Sequence, residues 1–252
     1  MKVFGKFEIS AKNVYRTEAY IDLDPCCPNG QYQPPILNNK FSKKIIGTIF
    51  MFNPGSSVPI NFSLNVPNQT LIGSSLFSTS QYVELVPDPT MDVILSLLCN
   101  SCYKSGLIEI KNLFNLREPS NINYSTLVTH IANALAYSTI PFPITFKGDF
   151  VFFAWGASLL RGLRKAAKPQ NSLIVDSYWK GIITNAQTQN IKICYVTNKS
   201  TQSDAENNGA FFHPLGGRGW LNQKYAFKNL MRIALYNQIK IHYKHPNTFR
   251  SL

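Results

Sequence analysis

The sequence predicts an α/β fold of three layers, with a central four-stranded parallel sheet between helices. Two observations carry this. Four apolar runs, rich in β-branched and aromatic residues, are each bounded by chain breakers, and segments with helical spacing alternate with them. A third observation is size: 252 residues, 44% of them hydrophobic and 13% aromatic, can bury a sizeable core within one domain.

Taken in order, residues 1–42 read as a peripheral segment packed on the domain. Phe7 to Ile9 and Val14 to Asp22 alternate in a way that suits an outer strand or hairpin. Pro25, Pro28, Gly30, Pro34 and Pro35 then break the chain into a loop. A single domain follows over 43–240, and 241–252 is a basic C-terminal tail. The four expected strands are Lys44–Phe52, Leu107–Phe114, Asp149–Trp155 and Ile191–Val196. Helical spacing marks Asp92–Lys104, Tyr124–Tyr137, Ala157–Ala167 and Asn222–Asn237, each with apolar residues three or four apart. In such folds ligands meet the loops beyond the carboxyl ends of the strands.

Charge narrows the partner. The chain carries 25 Lys and Arg against 13 Asp and Glu, a net of +12. Residues 1–155 are nearly balanced, whereas 156–252 hold 14 basic residues against 3 acidic ones. That asymmetry points to one surface that meets a polyanion, and an ordinary solvated basic surface is the competing reading. The longest apolar stretch, Val151 to Leu160, is too short to span a bilayer, and Met1 to Lys6 open no apolar leader. Cys26, Cys27, Cys99, Cys102 and Cys194 are too few and too scattered for a disulfide framework. The expectation is a reduced, cytoplasmic protein with no membrane contact and no obligate protein partner. Phosphate-loop, dinucleotide and zinc-protease motifs are missing from the sequence, so no cofactor or metal is expected.

The strand ends carry the chemistry. The first runs into Phe52-Asn53-Pro54-Gly55-Ser56-Ser57, where Asn, Pro and Gly suit either a plain β-turn or a loop that aims Asn53 into a crevice. The second ends in Asn112-Leu113-Phe114, whose carboxamide can read a base edge or be satisfied by backbone. The third enters a helix through Trp155-Gly156-Ala157, a turn whose N–H groups favour an anion. Last, His213-Pro214-Leu215-Gly216-Gly217-Arg218-Gly219-Trp220 precedes Lys224, Lys228 and Arg232. This suits either a structural loop or contact with a nucleic-acid backbone.

In that order these segments resemble the uracil-DNA glycosylase superfamily over about residues 44–236. Phe52 to Gly55 is similar to the Asn-Pro-Gly water-activating motif of its mismatch-specific branch, and Gly106 to Leu113 to the strand ending in the base-reading Asn. Val151 to Ala157 resembles its apolar-strand Trp-Gly segment, and His213-Pro214-Leu215 its His-Pro motif. Together with Asp88-Pro89-Thr90, the series is also similar to an uncharacterised bacterial family. The resemblance implies that a base is flipped from double-stranded DNA and its N-glycosidic bond hydrolysed without metal or cofactor. It assigns Asn53 to hold the attacking water and His213 to stabilise the leaving base. Asn112 would hydrogen-bond the flipped base, with Phe52 or Phe114 stacked on it. DNA contact would fall to Ser56, Ser57, Gly156, Gly216, Gly217, Arg218, Trp220, Lys224 and Lys228.

Three departures shape the expected activity. Asn53 stands where the uracil-specific branch has Asp, and an amide is a poor base, so slow or specialised catalysis is implied. Gly55 stands where that branch has a Tyr that blocks C5 substituents, which implies an open wall and a C5-modified pyrimidine. Residues 56–90 and about 168–210 are long for the family and are expected to border the pocket mouth. The reading is a monofunctional DNA glycosylase, in repair or in defence against phage with modified DNA. The alternatives are a DNA-binding protein of this fold with weak or lost hydrolysis, and an enzyme acting on a modified free nucleotide.

Overall fold

A computed structural model describes residues 1–10, 13–23, 36–37, 40–52, 55–64, 66–72, 81–98, 105–117, 123–129, 144–167, 169–197, 199, 201–211, 232–238 and 240–242. Eleven strands are described: β1 (Lys2–Ser10), β2 (Asn13–Asp22), β3 (Ile36–Leu37), β4 (Lys40–Phe41), β5 (Ile45–Met51), β6 (Val58–Pro59), β7 (Val83–Val86), β8 (Leu107–Asn112), β9 (Phe150–Phe153), β10 (Lys192–Thr197) and β11 (Lys240–His242). The helices are α1 (Asn68–Ile72), α2 (Pro89–Leu98), α3 (Ala157–Ala166), α4 (Pro169–Thr188) and α5 (Gln202–Asn208), with further helical turns over 124–129 and 232–237.

Nine strands form one sheet in the order β11-β10-β9-β5-β8-β2-β1-β7-β6, while β3 and β4 pair separately. The four strands expected from the apolar runs are β5, β8, β9 and β10. They lie side by side and parallel, and β11 adds a fifth parallel strand at one margin. The expected four-stranded sheet is therefore corrected to a nine-stranded mixed one. The hairpin expected near the N-terminus forms, with β1 and β2 antiparallel through a bulge at Lys6/Phe7. It continues the sheet instead of resting at its margin: β2 pairs antiparallel with β8, and β7 and then β6 lie outside β1. Strand alternation explains why this was hard to read. Val3, Phe7, Val14, Ala19 and Ile21 supply one apolar face, but the intervening charged residues make the hairpin look superficial.

Alternation also sorts the core into two layers. Ile49, Met51, Ile108, Ile110, Phe150, Phe152, Cys194 and Val196 face one way, where α1, α2 and residues 234–235 cover them. Phe50, Phe52, Val151, Phe153, Ile193 and Tyr195 face the other way, under 124–129, α3, α4 and α5. Helices thus cover both faces of the sheet, as a parallel set of apolar strands requires. The expected helices at 92–104, 124–137 and 222–237 are helical where described. The first begins earlier, at Pro89, because Asp88 caps it; residues 99–104, 130–137 and 222–231 lie outside the described residues.

The resemblance implies that residues from about 168 to 210 border the pocket mouth. Most of that stretch is core instead: α4 buries Val175, Tyr178, Trp179, Ile182, Ile183 and Ala186, and β10 follows it. Spacings of three and four residues put these side chains on one face of a 20-residue helix.

Candidate active site

The carboxyl ends of β5, β8, β9 and β10 lie along one end of the sheet, and the segments singled out in the sequence leave from there. Leu113 and Phe114 continue the ladder beyond β8, their N–H groups donating to the carbonyls of Met51 (2.9 Å) and Phe52 (3.0 Å). The N-terminal residues of β2 reach the same end: Arg16 N–H donates to Asn115 O and Arg117 N–H to Val14 O, with Tyr15 bridged to Leu116.

Asn112 is the last residue of β8, opposite Met51 and on the face that α2 covers. It is 9% exposed, and its Oδ1 has no hydrogen-bond partner among the described residues. A buried acceptor without a donor costs about 1–3 kcal/mol, and no backbone N–H among the described residues satisfies Oδ1. Phe52 and Phe114 meet edge to face, with centroids 5.2 Å apart, in the opposite layer. Phe52 is wholly buried and Phe114 nearly so, with Tyr178 beyond it. The Tyr178 hydroxyl donates to Leu113 O at 2.6 Å, tying α4 to the chain just after Asn112.

Gly55 occupies the left-handed region at φ 60°, and a Cβ there would collide with Oδ2 of Asp88. Asp88 caps α2: its Oδ1 accepts from Met91 N–H at 2.8 Å, with Pro89 at the first helical position. Burial pushes the Asp88 carboxyl above the usual carboxylate range, against the Met91 N–H and the Arg16 charge, which act the other way. Arg16 is 1% exposed, and Nε, Nη1 and Nη2 all lack hydrogen-bond partners among the described residues. Burial lowers its guanidinium to about 10, with the Asp88 charge opposing the shift. Arg16 is silent in the sequence, because a charged residue in an alternating strand looks like solvent-facing surface.

Arg117, fully buried, clamps the segment that follows Gly55. Its Nε donates to Ser57 O (3.3 Å), Nη1 to Val66 O (3.1 Å), and Nη2 to Ser56 O (3.2 Å) and Leu64 O (3.1 Å). Burial lowers this guanidinium as well, to about 10. Ser57 faces inward, its hydroxyl donating to Val86 O at 3.2 Å, so of the two serines assigned to DNA only Ser56 keeps exposed surface.

On the other side of the sheet end, Gly156 starts α3 at φ 89° and is buried, so its backbone carries the turn without a capping side chain. Trp155 is fully buried and donates from Nε1 to Gly209 O at 3.0 Å. Thr197 Oγ1 donates to Ala210 O at 2.5 Å, and the Phe211 ring stacks on Phe153 at 5.3 Å and 12°. Residues 209–211 are thereby fixed to the ends of β9 and β10, and the chain enters the His213 segment from the same end of the sheet that holds Asn112. Asn53, His213, Gly216, Gly217, Arg218, Trp220, Lys224 and Lys228 lie outside the described residues, as do Cys26, Cys27, Cys99 and Cys102. Cys194 is buried and free, with its thiol pushed up by burial.

Among the described residues no group of three or more His, Cys, Asp or Glu side chains is placed to hold a metal, and no helix is long and apolar enough to cross a membrane. Comparison of the chain with family models, with curated proteins and with solved structures finds no match.

Proposed function

We propose that the protein is a DNA glycosylase that hydrolyses the N-glycosidic bond of a flipped, C5-modified pyrimidine and leaves an abasic site. The observation that carries this reading is the buried Oδ1 of Asn112, without a hydrogen-bond partner among the described residues, at the carboxyl end of a parallel strand. An acceptor held in that state suits a ligand that brings an N–H, which a base turned out of the stack can offer. Two further points support it. The Gly55 turn and residues 209–211 converge on the same end of the sheet, each leading into or out of a motif of the resemblance. The basic excess of residues 156–252 suits a phosphate backbone better than a small substrate.

In this reading the site works by position and electrostatics, since the sugar becomes cationic as the bond breaks. Asn53 and His213 keep the roles that the resemblance gives them, and defence against phage with modified DNA is the setting that a C5-modified substrate implies. The test is incubation of the purified protein with phage genomic DNAs that carry different modified bases, followed by alkali. Strand breaks confined to one modified DNA are the expected result. Tight DNA binding with no breaks on any substrate would instead favour the binding protein without hydrolysis.

A further inference from the structure

Asn53, in the role that the resemblance gives it, leaves the attacking water without a competent base, because a carboxamide does not take up a proton near neutral pH. The fold brings a carboxylate to Gly55, two positions further on, from elsewhere in the chain. Asp88 lies 35 positions after Asn53, at the start of α2, and its Oδ2 abuts Gly55 closely enough that only glycine fits there. Its two oxygens have different surroundings: Oδ1 is held by the Met91 N–H, whereas Oδ2 is directed at the turn. The charge that acts on it from β2 is the Arg16 guanidinium, buried and without a hydrogen bond among the described residues.

We propose that Asp88 is the base that deprotonates the attacking water, with the buried Arg16 of β2 as its positioning residue. The inference rests on the glycosylase reading above. The water oxygen forms the new bond to C1′ while the C1′–N bond breaks, and its electron pair leaves on the base. One water proton passes to Asp88 Oδ2, and the departing base anion takes a proton from solvent. The groups that act on the Asp88 charge fit such a role. The Arg16 charge and the N–H groups of Thr90 and Met91 favour the carboxylate, while burial and the charge of Asp92 on the same helix favour the acid. The result is a proton affinity raised above that of an ordinary carboxylate, closer to what a base working near neutral pH needs.

The experiment is single-turnover base release between pH 5 and 9 from duplexes carrying uracil, thymine, 5-hydroxymethyluracil, 5-methylcytosine or 5-hydroxymethylcytosine. Wild type, Asp88→Asn and Arg16→Met are compared, with duplex binding and melting temperature measured alongside. Asn retains the cap on α2, so Asp88→Asn is expected to fold and bind DNA as wild type does. It should lose base release by about 10²-fold or more and lose the acidic limb of the pH profile. Arg16→Met should fold and keep that limb, displaced to higher pH, because the carboxylate has lost its cation. If Asp88→Asn fails to fold, the displacement in Arg16→Met decides: a shifted limb supports the assignment, and an unshifted one overturns it. Release by Asp88→Asn within threefold of wild type, with an unchanged pH profile, overturns it outright and leaves the glycosylase reading standing. A wild type that releases none of the five bases, nor any base from the phage genomic DNAs above, removes that reading and this assignment together.

Discussion

Oδ2 of Asp88 fills the space that a Cβ on Gly55 would take, so the turn after β5 and the start of α2 are built against each other. The sequence reading treats Gly55 as the missing half of a wall that an aromatic side chain would restore. The left-handed φ of 60° means that any side chain is strained there before its size matters. We therefore expect Gly55→Ala, and not only Gly55→Tyr, to disturb the turn. Strain of about 1–2 kcal/mol predicts a fall of roughly 2–8 °C in melting temperature. Calorimetry on the two variants checks this, and an Ala variant as stable and active as wild type would return Gly55 to the role of an open wall.

Asn112 is expected to separate function from stability. Its Oδ1 makes no hydrogen bond among the described residues that Asn112→Ala would remove, so unfolding free energy should change by no more than about 1 kcal/mol. Base release should nevertheless drop by roughly 10²-fold. Urea titration and the alkali assay, run on the same preparation, measure the two quantities.

Arg117 should behave in the opposite way. Truncation to Ala strands four buried or half-buried carbonyls and removes the tie between β8 and residues 56–66. A loss of about 3 kcal/mol or more is expected, visible as a lower urea midpoint. Arg117→Lys should recover only part of it, because an ammonium cannot reach four acceptors spread around a planar fork.

The raised proton affinity of Asp88 has a signed consequence for stability. Its folded-state pKa lies above the unfolded value, so the folded protein holds that proton more tightly. The contribution of the group is most favourable below its unfolded pKa and declines as pH rises through its folded one. Unfolding free energy of wild type relative to Asp88→Asn should accordingly be larger at pH 4, near the ordinary carboxylate value of about 3.9, than at pH 7. Paired urea titrations at the two pH values provide the measurement; a difference that shrinks would contradict the raised affinity.

DNA binding should depend on the basic C-terminal part of the chain. Replacing Arg218, Lys224 and Lys228 together with Ala should weaken duplex binding and flatten its dependence on log salt by up to about 0.9 for each phosphate that is no longer neutralised. Fluorescence anisotropy over a salt series reads this directly. An unchanged slope would place the DNA on another face.

What could be read from the sequence follows from how each element is stabilised. β5, β8, β9 and β10 are buried on both faces, so runs such as Ile49-Phe50-Met51-Phe52 announce themselves without any partner. The hairpin is apolar on alternate residues only, and its place between β8 and β7 depends on pairings that no local pattern encodes. α4 carried a legible signal in Val175, Tyr178, Trp179, Ile182, Ile183 and Ala186, masked by a polar first turn and by Gly181. At the site, Asn112 and Gly55 stood out as turn and strand-end residues. Asp88 stood out only as part of Asp88-Pro89-Thr90, with no role attached, and Arg16 and Arg117 not at all, since a charge is buried only when the fold supplies something to oppose or satisfy it, and that partner lies 51 or more positions away in the chain for the carbonyls that Arg117 holds.

The position of the hairpin also bears on how the chain assembles and on what happens when it is shortened. A chain lacking residues 1–22 would expose two unpaired backbone ladders at once, one along β8 and one along β7, which meets only β6 on its far side. Such open ladders recruit other strands, most readily those of a second unfinished copy. The hairpin closes by local pairing from Ser10 and Asn13 outward, so it can form before either neighbour arrives and then template both. Residues 1–22 thus cover two strand ladders as well as core, and their loss should appear as aggregation during refolding together with a lower melting temperature.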